Sequence, residues 1–101
     1  MNMKKMKLFV DTHDKRTGTF PEHISRDDFA TVFGKYRSAA EEEGVVPVQA
    51  MVNAGDGRMF CVNLAPNAEA VLRTHQKAGL KYGSITEVTT ATPDDLYFQW
   101  K

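Results

Sequence analysis

The chain has 101 residues, 42% of them hydrophobic and 26% charged, which is the composition of a folded protein of single-domain size. Thirteen Lys and Arg residues balance thirteen Asp and Glu residues, so the chain lacks the basic field that nucleic-acid binding requires. We predict no nucleic-acid partner and one domain over residues 1–101, with a core at about residues 7–89 and a C-terminal aromatic tail at residues 90–101.

Cysteine content and hydropathy indicate where the protein resides. Cys61 is the only cysteine, and a single cysteine cannot form an intrachain disulfide, which suits a reducing compartment. The N-terminus has no apolar run of signal-peptide length, and no stretch is long enough to span a bilayer. The sequence therefore predicts a cytoplasmic protein with no membrane partner.

The first half of the chain predicts a strand, a loop and an amphipathic helix. Residues 7–13 are rich in β-forming side chains, and residues 14–24 have the composition of a loop. Ser25 is a good N-cap, Asp28 three positions later completes a pair that resembles a capping box, and Gly44 suits the helix end. Helical spacing connects the apolar residues between them, which are Phe29, Val32, Phe33, Tyr36, Ala39 and Ala40.

The second half predicts a hairpin, a second helix and a last strand. Residues 45–53 and 58–64 are strands on either side of a turn, and Pro47 indicates an edge strand or a strand end. Pro66 opens the second helix, with Asn67 as a competing cap. That helix ends at Gly79, and residues 83–90 form the fourth strand.

The element order β-α-β-β-α-β predicts an α+β ferredoxin-like fold with a four-stranded antiparallel sheet. Two helices would cover one face of the sheet, and side chains alternate between the faces. We assign one set to the helix-covered face: Leu8, Val10, Val46, Val48, Val52, Phe60, Val62 and Leu64. The other face then carries Phe9, Asp11, His13, Gln49, Met51, Met59 and Cys61. The second set is too apolar for an open surface, so we predict a homodimer that buries it, as in a dimeric α/β barrel.

His13 and Asp11 form the first candidate site. Positions two apart on a strand share a face, so both side chains could enter one cavity. An imidazole and a carboxylate together can bind a divalent metal, and the carboxylate can also orient the histidine. A strand-end histidine that only hydrogen-bonds a loop is the alternative.

Cys61 and His75 are further candidate ligands. A thiolate at Cys61 would suit nickel, copper or zinc, whereas a buried cysteine more often serves as a small hydrophobic residue. His75 lies on the apolar stripe of the second helix, where it could be a core histidine satisfied by a hydrogen bond. As a ligand, His75 would have to reach past the helix end toward His13 or a partner chain.

Three blocks of the chain resemble one family of small bacterial proteins. They are residues 9–13 (FVDTH), residues 60–66 (FCVNLAP) and residues 70–79 (AVLRTHQKAG). The family is catalogued mainly as a domain of unknown function, and one branch is a nickel-binding protein with a ferredoxin-like fold that forms a dimeric α/β barrel.

The resemblance covers about residues 7–89 and implies a homodimer that binds a divalent transition metal such as nickel. The positions that match are Asp11, His13, Cys61 and His75. The chain departs from the family pattern at Asp14 and Leu80, where the pattern has histidines. No organic cofactor motif is present.

Three functions follow from these observations. The first is a protein that binds a divalent metal such as nickel through His13 and Asp11, with His75 or Cys61 as additional ligands. The second is a small-ligand-binding protein or an enzyme that uses the barrel cavity, with His13 as the acid or base. The third is a structural or interaction module whose aromatic tail, Tyr97, Phe98 and Trp100, makes the contact.

Overall fold

Two helices pack on one face of a four-stranded antiparallel sheet in the structure, a computed structural model that describes residues 5–94. The elements in chain order are β1 (Lys7–Asp14), a turn of 3₁₀ helix (Lys15–Thr17), α1 (Arg26–Glu43), β2 (Val46–Asn53), β3 (Arg58–Ala65), α2 (Ala68–Ala78) and β4 (Ile85–Val88). The strands lie in the order β2-β3-β1-β4. This element order and topology confirm the predicted α+β ferredoxin-like fold.

The helix ends follow the capping residues of the sequence. The Ser25 hydroxyl accepts a hydrogen bond from the Asp28 amide at 3.0 Å, and Asn67 accepts one from the Ala70 amide at 2.9 Å. Asn67 is therefore the cap of α2, and the alternative start at Pro66 was wrong by one or two residues. Both helices end at a glycine in the left-handed region, with φ of 70° at Gly44 and 71° at Gly79.

The edge strands differ in detail from the prediction. β2 is an edge strand, as Pro47 indicated, and a bulge interrupts its pairing with β3 between Pro47 and Gln49. β4 is shorter than the predicted residues 83–90. The segment before β4 is attached to β1 by a hydrogen bond of 2.7 Å, in which the Gly83 amide donates to the Thr12 carbonyl. The predicted aromatic tail falls largely outside the described residues, which end at Asp94.

The assignment of side chains to the two faces of the sheet was wrong for β1 and β3, and in β2 it was right for Gln49, Met51 and Val52. The helices cover the face that carries Phe9, Asp11, His13 and Cys61, all of which are buried. The other face, hereafter the open face, carries most of the aliphatic residues that we had placed in the core. Its apolar members are Leu8, Val10, Val46, Met51, Phe60, Val62, Leu64 and Val88, which the strand register places together.

The helices provide hydrogen-bond partners for polar side chains of the sheet, and this gives a physical reason for the inversion. The hydrophobic core beneath them is small and consists of Phe9, Ala40, Val45, Ala65, Ala70 and Val71. The same helices also present Tyr36, Thr74 and His75, all buried. Polar side chains of β1 and β3 can therefore form hydrogen bonds on the helix side, whereas the open face offers them only solvent.

The helices are not of the membrane-spanning kind. Within residues 5–94, no helix combines the length and the apolar character needed to cross a lipid bilayer.

Candidate metal centre

The carboxylate of Asp11 is the centre of a buried polar cluster. Asp11 lies in the middle of β1 and is 0% exposed. Its Oδ1 atom lies 2.6 Å from Nε2 of His13 on the same strand and 3.2 Å from Nε2 of His75 on α2. Its Oδ2 atom accepts a hydrogen bond of 2.8 Å from the Asn63 side-chain amide on β3. Three elements of the fold thus meet at one carboxylate.

The outer nitrogens of both imidazoles face main-chain carbonyl groups. Nδ1 of His13 lies 3.2 Å from the Thr19 carbonyl, in the loop that follows the 3₁₀ turn. Nδ1 of His75 lies 2.8 Å from the Val71 carbonyl, one turn earlier on α2. A carbonyl oxygen can only accept, so each hydrogen bond requires a proton on Nδ1. A hydrogen bond from Nε2 to Asp11 then requires a second proton on the ring, and without that proton the Nε2 lone pair faces the carboxylate.

A second hydrogen-bonded chain supports Asp11 from the other side. The Tyr36 hydroxyl on α1 donates to Oδ1 of Asn63 at 2.9 Å, and Asn63 in turn donates to Asp11. Burial is the main cause that raises the pKa of Tyr36, and the nearby charge of Asp11 adds to it. Tyr36 is therefore a neutral donor, and the chain holds the carboxylate in one orientation.

Cys61 lies beside Asp11 because the two residues are paired in the β1–β3 register. The ligand atoms of Asp11, His13 and Cys61 all lie within 4.8 Å of one another. Burial raises the pKa of the Cys61 thiol, and the charge of Asp11 and the hydrogen bond to it raise the pKa further. In the absence of a cation, Cys61 is a protonated thiol.

The pKa of Asp11 results from opposing effects. Burial alone would raise the pKa of this carboxyl group, because it penalises the charged form. Hydrogen bonds and charge interactions with His13 and His75 outweigh burial and place the pKa below its ordinary value. Asp11 is therefore a carboxylate in the folded chain near neutral pH.

Aromatic rings enclose His75. The rings of His13 and His75 stack with centroids 5.6 Å apart, and Tyr36 and Tyr82 approach His75 edge-on at 5.0 and 5.2 Å. Such packing leaves the two imidazoles little rotational freedom. The donor atoms are thus held in place by the fold.

The four sequence-predicted site residues lie together, and one expectation about them was wrong. His75 does not reach past the end of α2, because its side chain lies directly above Asp11 with less than 2% of its surface exposed. Sequence reasoning missed Asn63 and the role of Tyr36. Asn63 carried a signal, since it lies two positions from Cys61 on the same face of β3 and asparagine is uncommon inside strands.

Comparison with known proteins gives the family. A family model described as "Nickel responsive protein SCO4226-like" matches residues 9–88. The chain belongs to the SCO4226-like family. The resemblance recognised in the sequence is thereby confirmed, and the match spans every predicted ligand position.

A solved structure supports the membership in this SCO4226-like family. The crystal structure of SCO4226 from Streptomyces coelicolor A3(2) aligns with this chain at 29% sequence identity. The alignment covers 84% of this chain and 99% of the SCO4226 chain. The TM-score is 0.71. A search of curated proteins found no match.

Proposed function

We propose that the protein binds a divalent transition metal of the nickel class through Asp11, His13, Cys61 and His75. One observation carries the proposal: two imidazole Nε2 atoms lie within 3.2 Å of a single carboxylate oxygen, while both Nδ1 atoms face carbonyl groups. With Nδ1 bonded to a carbonyl group, each Nε2 atom can hold this short contact with the carboxylate only if a proton or a metal cation lies between them. A divalent cation shared by the three atoms can take the place of those protons.

The donor set fits a borderline transition metal. Imidazole nitrogen suits nickel, copper, zinc and iron, thiolate sulfur suits the softer of these ions, and one carboxylate adds negative charge. A bound divalent ion would supply a Lewis-acidic positive charge at the centre of the cluster. The description of the family as nickel responsive supports nickel as the physiological ion.

The surrounding residues prepare the ligands. The Thr19 and Val71 carbonyl groups fix the tautomer and the ring orientation of His13 and His75. Asn63 and Tyr36 fix Asp11. Cys61 must release its proton to become a ligand, so metal binding releases protons and tightens as the pH rises.

Thermal unfolding of the metal-stripped full-length chain tests the proposal. A ligand that binds only the folded state at 100 times its Kd adds about 2.7 kcal/mol, so we expect saturating nickel to raise Tm by about 10–20 °C. The variants His13→Gln and His75→Gln should lose most of this shift. His23→Gln is the matched control, because His23 lies exposed in the loop before α1.

Two results would contradict a metal centre at this place. One is a Tm that nickel, copper and zinc all leave unchanged. The other is a nickel-induced shift that survives in His13→Gln and His75→Gln but disappears in His23→Gln, which would place the ion in the exposed loop.

We further propose that the chain works as a cytoplasmic homodimer in which two open faces pack against each other. The open face carries large exposed apolar side chains, with Val46 51% and Phe60 36% exposed. A contiguous apolar surface of this kind usually marks an interface. Packing of sheet on sheet would cover it in both copies at once, as two-fold symmetry allows.

A further inference from the structure

We propose that a second pocket, which adjoins the metal centre at His13, binds a small apolar monocarboxylate such as a one-ring aromatic acid. The pocket has a volume of about 330 Å³ and lies between the loop that follows the 3₁₀ turn, the start of α1 and the segment after α2. Its walls are chiefly apolar side chains, namely Phe20, Ile24, Phe29, Val32, Met59 and Leu80. Small-molecule sites in proteins have this volume and this character.

The volume limits the size of the occupant. An apolar cavity of about 150 Å³ is sufficient for benzene, and ligand pockets begin at about 300 Å³. A pocket of about 330 Å³ therefore accommodates one ring with a short side chain.

The charges at the pocket favour an anion. Among the lining residues, Lys81 carries the only permanent charge, and no carboxylate is present. Within residues 5–94, Lys81 forms no ion pair. His13 also lines the pocket, but both of its ring nitrogens already have oxygen partners. The lysine is thus the group that remains to pair with a carboxylate at the rim.

The pocket adjoins the metal centre, because His13 belongs to both. A smaller space of about 30 Å³ is lined by His13, Tyr36, Cys61 and His75 among others, and it shares part of its wall with the pocket. That space corresponds to about one water molecule and is too small for a ring. Of the four proposed metal ligands, His13 alone lines the larger pocket. The affinity for an apolar acid should therefore not require a metal.

Chemical-shift mapping on the ¹⁵N-labelled full-length chain, in the presence of a chelator, tests this inference. Phenylacetate is the probe, and phenylacetamide is its neutral analogue of the same shape. We expect millimolar phenylacetate to shift the amide signals of residues 18–20, 22–24, 29–32 and 79–81 and to leave those of β2 unchanged. Phenylacetamide should bind more weakly.

Two pairs of variants separate the two contributions. Lys81→Gln should weaken phenylacetate binding by up to about five-fold, the upper end of the range for an exposed ion pair, and leave phenylacetamide unaffected. Lys35→Gln, at an exposed site on α1, is its control. Val32→Phe should fill the pocket and abolish binding of both probes, whereas Ala30→Phe on the exposed side of α1 should not.

Specific results would overturn the inference. Absence of shifts at the pocket residues would exclude the site, and equal affinity for phenylacetate and phenylacetamide would exclude recognition of the anion. Binding that appears only when the chelator is replaced by nickel would show direct coordination to the ion instead of occupation of the pocket. Because the chelator experiment contains no metal, its outcome is independent of the proposed metal centre.

Discussion

The two faces of the sheet differ in a way that reverses the usual pattern of a two-layer fold. β1 directs Phe9, Asp11 and His13 toward the helices and leaves Leu8 and Val10 on the open face. The buried side thus carries a carboxylate and an imidazole, while the side without helices carries aliphatic residues. Burial in this chain depends on which partners are available for each group and not on hydrophobicity alone.

Each arrangement stabilises the chain only if a condition is met. On the helix side, every polar group must have a partner, and within residues 5–94 no buried side-chain nitrogen or oxygen lacks one. On the open face, the apolar residues must be covered by something beyond the described chain. Each condition can be removed separately by substitution of one residue.

Removal of the central carboxylate should have the largest effect on stability. Asp11→Ala leaves His13, His75 and Asn63 without their common partner inside the protein. Removal of one partner from a buried charged pair costs about 3–5 kcal/mol, so urea unfolding of the metal-free variant should show a loss of that size. Asp27→Ala, at an exposed site in the first turn of α1, should cost under about 1 kcal/mol. Equal losses in the two variants would refute the central role of Asp11.

A charge on the open face should break the proposed dimer and leave the fold intact. Val62 pairs with Val10 and Gln49 across the centre of this face. Val62→Glu would bury two carboxylates in a symmetric interface, and a central interface residue contributes about 2–4 kcal/mol, so the dimer should dissociate about 30- to 1000-fold more readily. Ala30→Glu on α1 is the control. A wild-type chain that sediments as a monomer at micromolar concentration would refute the interface.

The fold was accessible from the sequence because its signals are local. Caps such as Ser25 and stops such as Gly44 act within one helical turn, and the strand and helix periods follow from residue spacing. The choice of sheet face was not accessible in the same way. The choice of face depends on the contact between Asp11 and His75, which lie 64 positions apart in the chain. The alternation of side chains along a strand contains no information about such a contact.

The candidate site was only partly accessible for a related reason. Asp11 and His13 share a face by strand geometry, so their proximity could be derived from the sequence. The placement of Cys61 beside them depends on the β1–β3 register, and that of His75 depends on how α2 packs. Tyr36 could not be distinguished from an ordinary core residue, because its hydroxyl partner Asn63 lies 27 positions away.

Loss of one hydroxyl group should show how strictly the helix side requires satisfied polar groups. Tyr36→Phe leaves the side-chain carbonyl of Asn63 buried without its donor, at a cost of about 1–3 kcal/mol. Tyr82 is the matched control, since its ring contacts His75 but the contact does not involve the hydroxyl group. Tyr82→Phe should change the urea-unfolding free energy by under about 0.5 kcal/mol. A similar loss in both variants would show that ring packing matters more than the hydrogen-bonded chain.

The smallest expected effect is on the pKa values of Asp11 and Asp14. Both values are lowered in the folded chain, but the causes differ. Asp11 is buried between imidazoles, whereas Asp14 at the end of β1 is partly exposed and bonded to Arg16 at 2.9 Å. The Arg16 side chain and amide lower the pKa of Asp14 to about 2. In both cases the folded pKa lies below the unfolded one, so the stability is present above the unfolded pKa and is lost as the pH falls through the folded value.

Salt should separate the two carboxyl groups. The Debye length falls from about 10 Å at 0.1 M to about 3 Å at 1 M, and screening acts on exposed charges far more than on buried ones. In a carboxyl ¹³C titration of metal-free protein, concentrated salt should move the pKa of Asp14 up toward its ordinary value and leave that of Asp11 nearly unchanged. Arg16→Gln should reproduce the effect on Asp14 without salt, because it removes the charge that salt screens. Equal responses of Asp11 and Asp14 to salt would mean that solvent and ions reach the helix-covered face, and the contrast between the two faces would fail.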